Sequence, residues 1–145
     1  MDSALDELLL KSEATGAWLI DKGGPLITQR GALEEFDATT IAALAAGSFA
    51  ATEAMAGLIG EVNFTSVYQQ GERQSLLIQN VGEHLLLIVV FAATMSAGVA
   101  KYFSAATVPR ITEQLEKARE RKPDESLDLV SLNISNTAEL FRKKA

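Results

Sequence analysis

The residues able to carry acid–base or nucleophilic chemistry are few in this 145-residue chain. His84 is the only histidine, and it follows Glu83 at the start of an apolar run. General acid–base and nucleophilic catalysis both need positioned partner groups, so the sequence predicts a structural role for His84 at a strand end. The adjacent Glu34 and Glu35 predict a solvated loop, and no Gly-x-Ser-x-Gly element is present to expose a nucleophilic serine.

The sequence indicates a metal site or a nucleotide site no better than it indicates a catalytic site. The chain has no cysteine, and a metal site is not expected without cysteine or a second histidine. The glycines at Lys22-Gly23-Gly24 indicate a tight turn, and Gly47 and Gly57 stand within one long apolar segment. Neither arrangement is a Walker A loop or a GxGxxG element after a strand. The sequence therefore predicts no catalytic residue, no metal and no cofactor, and favours a non-enzymatic protein.

Composition is typical of a globular protein of one domain. Apolar residues make up 48% and charged residues 22%, which is enough apolar surface for a core. The net charge of −6 argues against a nucleic-acid partner, and the acidic N-terminus lacks the basic start of a secretion signal. Residues 85–100 are too few to span a bilayer, and residues 38–60 contain Glu53. We expect a cytoplasmic protein with no membrane insertion.

The first third of the chain predicts a helix followed by a β-hairpin. Residues 3–14 have leucines at helical spacing, and Gly16 is a suitable C-terminal stop. Residues 17–21 and 25–30 are short apolar runs on either side of Lys22-Gly23-Gly24. Two glycines supply the positive φ angles of a hairpin turn, so these runs are predicted to pair.

A long helix is predicted from the N-cap Asp37 to Gly60. Most of its larger apolar residues form an approximate stripe at helical spacing, and the opposite face consists of alanine and glycine. Glu53 is the only charged residue between residues 38 and 60. The predicted stripe comprises Ile41, Leu44, Ser48, Ala51, Met55, Leu58 and Ile59. A helix that is apolar or small all round needs cover on two sides, which favours self-association of the chain. The alternative is a helix enclosed in the core of one chain, with alanine present for its helix propensity.

The remainder predicts three strands, a helix and a tail. The strands are residues 62–69, 73–79 and 84–91, and the helix is residues 95–121, restarted or kinked at Pro109. The predicted fold is a five-stranded antiparallel sheet with helices on both faces, in the order α-β-β-α-β-β-β-α. Residues 1–122 form the predicted domain. Residues 123–145 are predicted to be a weakly structured tail with a basic end at Arg142, Lys143 and Lys144.

The ordered set of segments resembles the Roadblock/dynein light-chain domain family, in its bacterial MglB-like branch. GAWLIDKGGPLITQRG resembles the first hairpin of the family, and DATTIAALAAGSFAATEAMAGLIGE resembles its alanine-rich central helix. GERQSLLIQNVGEHLLLIVVF resembles the last two strands, with the Gly-Glu turns at Gly71-Glu72 and Gly82-Glu83. The resemblance covers about residues 5–121 and leaves the tail outside.

The resemblance implies a profilin-like fold whose protomers pair into one continuous sheet, as a homodimer or a heterodimer with a paralogue. It also implies a platform for a small Ras-like GTPase, and some bacterial members act as GTPase-activating partners. Two alternatives stay open: a structural scaffold or motor light-chain-like subunit with no effect on GTP turnover, and a small-molecule sensor.

Two sets of site residues follow from the resemblance, one for each kind of contact. The dimer interface implied by the central helix and the third strand comprises Gly47, Ala50, Ala51, Ala54, Phe64, Ser66 and Tyr68. The surface implied for the GTPase comprises Thr52, Glu53, Met55, Ala56, Ile59, Gln70 and Glu72.

Overall fold

Five strands form one antiparallel sheet in the computed structural model of the chain, which describes residues 2–31 and 36–121. Across the sheet the strands lie in the order β2-β1-β5-β4-β3. Along the chain the elements are α1 (Asp2–Ser12), β1 (Gly16–Asp21), β2 (Leu26–Gly31), α2 (Ala38–Leu58), β3 (Ser66–Gln69), β4 (Gln74–Val81), β5 (Leu85–Ala92) and α3 (Ala97–Arg121). The predicted element order and fold class are confirmed.

The chain divides into two compact units, residues 1–112 and 113–145. The first unit contains the sheet, α1, α2 and most of α3. In the second unit the described residues are helical as far as Arg121, and Lys117 Nζ lies 3.0 Å from Glu113 Oε1. The predicted tail, including its basic end, lies outside the described residues.

The β1–β2 hairpin forms around the predicted glycine turn. Gly24 has a φ of +119°, a conformation that favours glycine, and its N–H donates to the Asp21 carbonyl at 2.8 Å. The Gly23 N–H donates to Asp21 Oδ1 at 2.7 Å. The pairing register shifts between Leu19 and Ile20, which leaves Ile27 as an extra residue in β2.

One face of the sheet is covered by α2. Asp37 caps this helix, since the Thr40 N–H donates to Asp37 Oδ1 at 3.2 Å and the Thr40 hydroxyl donates to Oδ2 at 2.6 Å. Phe49 is 1% exposed, and burying a side chain of its size contributes roughly 2–3 kcal/mol. The core on this face comprises Trp18, Ile20, Ala42, Ala45, Ala46, Phe49, Ile78, Leu86, Ile88 and Val90.

The other face of the sheet is covered by α1 and α3. Leu5 and Leu8 of α1 are buried, as are Ala100 and Ile111 of α3. The strand residues that alternate with the α2-facing set are buried here: Ala17, Leu19, Leu77, Leu87, Val89 and Phe91. Each strand in the middle of the sheet is therefore apolar on both faces, as the sequence of β5 predicts.

Two element boundaries near the first helix and the third strand differ from the prediction. The left-handed residue after α1 is Glu13, with a φ of 58°, whereas Gly16 is already the first residue of β1. The third strand begins at Ser66 rather than at residue 62. Phe64 packs on the α2 side and Tyr68 packs against Phe91 on the other side, so the regular two-residue alternation of a strand does not extend from Phe64 to Tyr68.

Pro109 neither ends nor restarts α3, which runs from Ala97 to Arg121. Proline removes one backbone donor, so the carbonyl of Ala105, four residues earlier, loses its helical partner. Ala105 and Pro109 are both exposed, and water can therefore satisfy this carbonyl.

Candidate interaction surface

The side of α2 that does not pack on the sheet is exposed and apolar. Leu44 is 67% exposed, Met55 59% and Leu58 88%. Together with the small residues between them they form the exposed α2 face, which comprises Leu44, Gly47, Ala50, Ala51, Ala54, Met55 and Leu58. A contiguous apolar patch of this kind is typical of a protein–protein contact.

Most of the stripe predicted for α2 faces away from the sheet, and only its first residue, Ile41, packs against the core there. The buried residues of α2 are four alanines and one phenylalanine: Ala42, Ala45, Ala46, Phe49 and Ala56. Alanine lets the helix lie close to the sheet, and Phe49 is the one large side chain of α2 that is fully buried against it. Leu44 and Leu58 are absent from the predicted site residues. The helical spacing of the alanines around Phe49 would have identified them, because it places Leu44 and Leu58 on the opposite side of the helix.

The length of α2 exceeds the width of the sheet. A helix of 21 residues is about 31 Å long, and five strands span about 19 Å. α2 contacts β2, β1 and β3, and Phe49 packs on Phe64 with 5.0 Å between ring centroids. Beyond Phe49 the charged Glu53 is exposed, although it lies one turn from the buried phenylalanine. From Ala50 to Leu58 only Ala56 is buried, so the C-terminal part of α2 is largely exposed.

Among the described residues, no strand pairs with the outer edge of β3, so some of its backbone donors point away from the sheet. The Asn80 N–H donates to the Thr65 carbonyl at 2.8 Å, so these opposed residues form a hydrogen-bonded pair. Hydrogen-bonded and non-hydrogen-bonded pairs alternate in an antiparallel ladder. Val67 therefore bonds to β4, whereas the backbone N–H groups of Ser66 and Tyr68 point away from it. Such an edge is a template for another strand.

The residues implied for the GTPase lie at the two ends of β3. Met55 and Ile59 are 59% and 85% exposed at the end of α2, close to the start of β3, and Glu53 is exposed nearby. Gln70 and Glu72 are exposed in the β3–β4 turn, about 17 Å further along the strand direction. Within one protomer the two groups are therefore separate.

Two residues of this set are less accessible than the others. The Ala56 side chain is 8% exposed, and its carbonyl accepts from the Glu61 N–H at 2.8 Å as the chain turns back. Thr52 is half-buried, and its hydroxyl donates to the Ser48 carbonyl at 2.9 Å. Ala56 and Thr52 thus support the end of the helix, whereas Glu53, Met55 and Ile59 present side chains to solvent.

The expected dimer residues of β3 are partly engaged within the chain. Phe64 is half-buried against Phe49. Tyr68 packs on Phe91 with 5.8 Å between centroids, and Lys101 Nζ lies 5.8 Å from the centroid of its ring. These contacts fix the strand on both sides and leave its backbone edge free.

Within residues 2–31 and 36–121, no three histidine, aspartate or glutamate side chains are grouped so that they could hold a metal ion. The His84 side chain is 79% exposed, and its Nε2 lies 3.9 Å from Glu83 Oε2. Of the helices described, α2 alone is long and apolar enough to cross a membrane by length and composition, and four of its residues pack in the core on the sheet.

An open five-stranded sheet with one helix on one face and two on the other is the profilin-like class of fold. Profilin II of Acanthamoeba castellanii shares this fold, with a TM-score of 0.57 and 17% identity over 77% of this chain and 96% of that one. The family is shown by sequence: the profile of the Roadblock/LC7 domain matches residues 1–91. The chain belongs to the Roadblock/LC7 family.

Solved MglB structures resemble the chain in both sequence and fold. Myxococcus xanthus MglB is 31% identical with a TM-score of 0.74, over 79% of this chain and 94% of that one. The gliding protein MglB of Thermus thermophilus is 36% identical with a TM-score of 0.70, over 78% and 88%. These similarities support the MglB-like branch named from the sequence. No curated protein sequence matches the chain.

Proposed function

We propose that this protein is a dimeric, non-enzymatic regulator of a small Ras-like GTPase. The observation that carries the proposal is the exposed α2 face, a helix surface without charge beside a strand edge with free backbone donors. The similarity to MglB proteins, one of which is named a gliding protein, supports a role in the control of cell movement.

Dimer formation in this proposal uses α2 and β3 together. Antiparallel pairing of β3 with the β3 of a second copy extends the sheet, because Ser66 and Tyr68 have outward N–H groups. The uncovered C-terminal part of α2 then lies over the sheet of the second copy. Gly47 suits the helix–helix contact, since no atom lies within 4 Å of the position its Cβ would take.

Dimerisation also explains why the residues implied for the GTPase form two groups. Antiparallel pairing of two β3 strands places the β3–β4 turn of one copy beside the start of β3 in the other. Gln70 and Glu72 of one copy then approach Met55 and Ile59 of its neighbour. The GTPase surface is composite in this arrangement, and a monomer holds only half of it.

The decisive experiment measures binding and GTP hydrolysis with purified Ras-like GTPases encoded in the same genome. Faster hydrolysis in the presence of the wild-type protein supports a GTPase-activating role. Tight binding with unchanged hydrolysis supports the scaffold alternative. Failure to bind any of these GTPases overturns the proposal.

A pair of variants tests the surface proposed for the GTPase against an equally exposed leucine elsewhere on the chain. Ile59→Glu is expected to weaken GTPase binding at least about tenfold. Leu10→Glu is the matched control, because Leu10 is 82% exposed on α1 and Ile59 is 85% exposed on the opposite side of the sheet. Equal loss of binding in both variants contradicts the assignment of the surface.

A further inference from the structure

A cleft separates α1 from α3 on the face of the sheet opposite α2. Its cavity of about 160 Å³ lies wholly within the first unit of the chain. The lining residues are Ala4, Glu7, Leu8, Lys11, Tyr102, Phe103, Ala106, Thr107 and Arg110. This volume is below the range of roughly 300–1,000 Å³ typical of small-molecule sites, so it suits a single side chain better than a cofactor.

The α3 side of the cleft has an apolar rim. Val99 and Tyr102 are 44% and 70% exposed. Phe103 and Ala106 follow them at helical spacing, so the four residues share one flank of the helix. The Tyr102 and Phe103 rings meet edge to face with 5.3 Å between centroids. Exposed aromatic residues beside a cavity are typical of an anchor site in a protein interface.

The side chains around the cleft carry an excess of positive charge. Glu7 is the acceptor for two cations, Lys11, whose Nζ lies 2.5 Å away, and Arg110. The other acids of α1, Asp2 and Asp6, lie on the opposite flank, where both contact Arg30. Two cations with one carboxylate give a local positive charge in a chain of net charge −6.

We propose that this cleft docks a short acidic and apolar segment of a second protein partner. An aliphatic or aromatic side chain of the segment enters the cavity between Leu8 and Phe103. A neighbouring carboxylate of the segment bonds Arg110 and Lys11, whose side chains are 45% and 58% exposed and can reorient from Glu7. The cleft and the exposed α2 face lie on opposite faces of the sheet, so both can be occupied in one complex.

The test uses a synthetic fluorescein-labelled peptide with leucine and glutamate at helical spacing, and a control peptide with lysine in place of glutamate. Fluorescence polarisation is expected to show binding of the acidic peptide alone. Amide chemical-shift changes are expected at Ala106 and Thr107 of the full chain, and not at Ala51 on α2. Binding of the basic peptide with equal affinity, or shifts confined to α2, overturns the proposal.

Variants separate docking from structural roles of the same residues. Arg110→Glu is expected to weaken the acidic peptide at least about tenfold, and Arg110→Lys to retain most of the affinity. Ala106→Trp fills the cavity from an exposed position of α3 and is expected to abolish binding without changing the circular dichroism of the protein. Unchanged affinity in Ala106→Trp contradicts the proposal.

Two other occupants of the cleft are also distinguishable. If Ala106→Trp changes the oligomeric state in light scattering and no peptide binds, the cleft is a contact between copies of the chain. If a small apolar dye shifts Ala106 and Thr107 and the acidic peptide does not, the cleft is a small-molecule site. Either result replaces the peptide-docking proposal.

Discussion

The two edges of the sheet, β2 and β3, differ in what hinders another strand from pairing with them. β2 contains an extra residue at Ile27, which disturbs the regular spacing of its backbone groups. It also carries Arg30, whose Nη2 and Nε lie 3.4 Å from carboxylate oxygens of Asp2 and Asp6, respectively. The Thr28 hydroxyl donates to Asp2 at 2.5 Å. The N-terminal end of α1 is thus tied to this edge.

β3 has none of these features in the part of the chain that the structure describes. It has four residues, no charged side chain and a regular register with β4. Exposed edges in natural proteins are usually blunted by charges, bulges or a covering element, and β2 has all three. The contrast indicates that one edge is protected and the other is available for pairing.

The largest expected effect comes from a charge in the proposed helix contact beside the β3 edge. Gly47→Glu is expected to weaken the dimer about a thousandfold, because two like charges would be buried across a two-fold axis. The open space around Gly47 predicts that the monomer still folds. Analytical ultracentrifugation gives the dimer dissociation constant, and circular dichroism checks the fold. A folded dimer of unchanged affinity would remove α2 from the interface.

A proline in β3 tests the edge itself. Ser66→Pro removes an N–H that points away from β4, so the intrachain ladder is kept while pairing with a second strand is lost. Each dimer would lose two hydrogen bonds between the β3 strands, one from each copy, which predicts about a hundredfold weaker association. Ser66→Ala keeps the N–H and is expected to remain dimeric. If both variants dimerise equally, as measured by light scattering over a dilution series, β3 is not the paired edge.

Charge reversal tests the protection of the other edge. Arg30→Glu replaces two ion pairs with repulsion from Asp2 and Asp6, and is expected to lower the free energy of unfolding by about 1 kcal/mol. Arg30→Gln should have about half this effect. Urea denaturation measures both, and the difference between them should shrink at high salt. The dimer dissociation constant should not change, since β2 lies outside the proposed interface.

The smallest effect concerns the start of the helix that lies beside the open edge. Hydrogen bonds from the Thr40 side chain and backbone lower the pKa of Asp37 below its ordinary value of 3.8. Because the pKa of Asp37 is lower in the folded state, its ionised carboxylate contributes stability above about pH 4, and this stability is lost as the pH falls through the folded pKa. Asp37→Ala is expected to lower the midpoint of thermal unfolding by about 4 °C at pH 7. Thermal melts should show this difference narrowing below pH 4.

Local features of the fold were predictable where one residue type fixes the backbone. Gly24 adopts the positive φ expected of the hairpin, and Gly60, with a φ of 85°, follows the long helix. Asp37 caps that helix as predicted. By contrast, Ile27 is left without a partner where the register of β2 against β1 shifts, and no residue type signals such a bulge.

The sequence predicts that α2 forms a contact surface, but it predicts the residues of that surface less well. The near absence of charge in α2, where Glu53 is the only charged residue, indicates contacts on two sides. Which face of the helix packs on the sheet was not evident from the sequence, because alanine is equally compatible with a close sheet contact and with a close helix contact. The α1–α3 cleft depends on residues about a hundred positions apart, which no local pattern relates. Val99 and Tyr102 stood outside every predicted site for this reason.

The blocked β2 edge also limits how many chains can associate through their sheets. A chain with two open edges can add copies without end, whereas a chain with one has a valence of one for strand pairing. In the proposed dimer, two such chains pair through β3, and the resulting sheet ends at β2 on both sides. Such a dimer would not grow into fibres by strand pairing, and a larger assembly would be joined through surfaces other than the sheet edges.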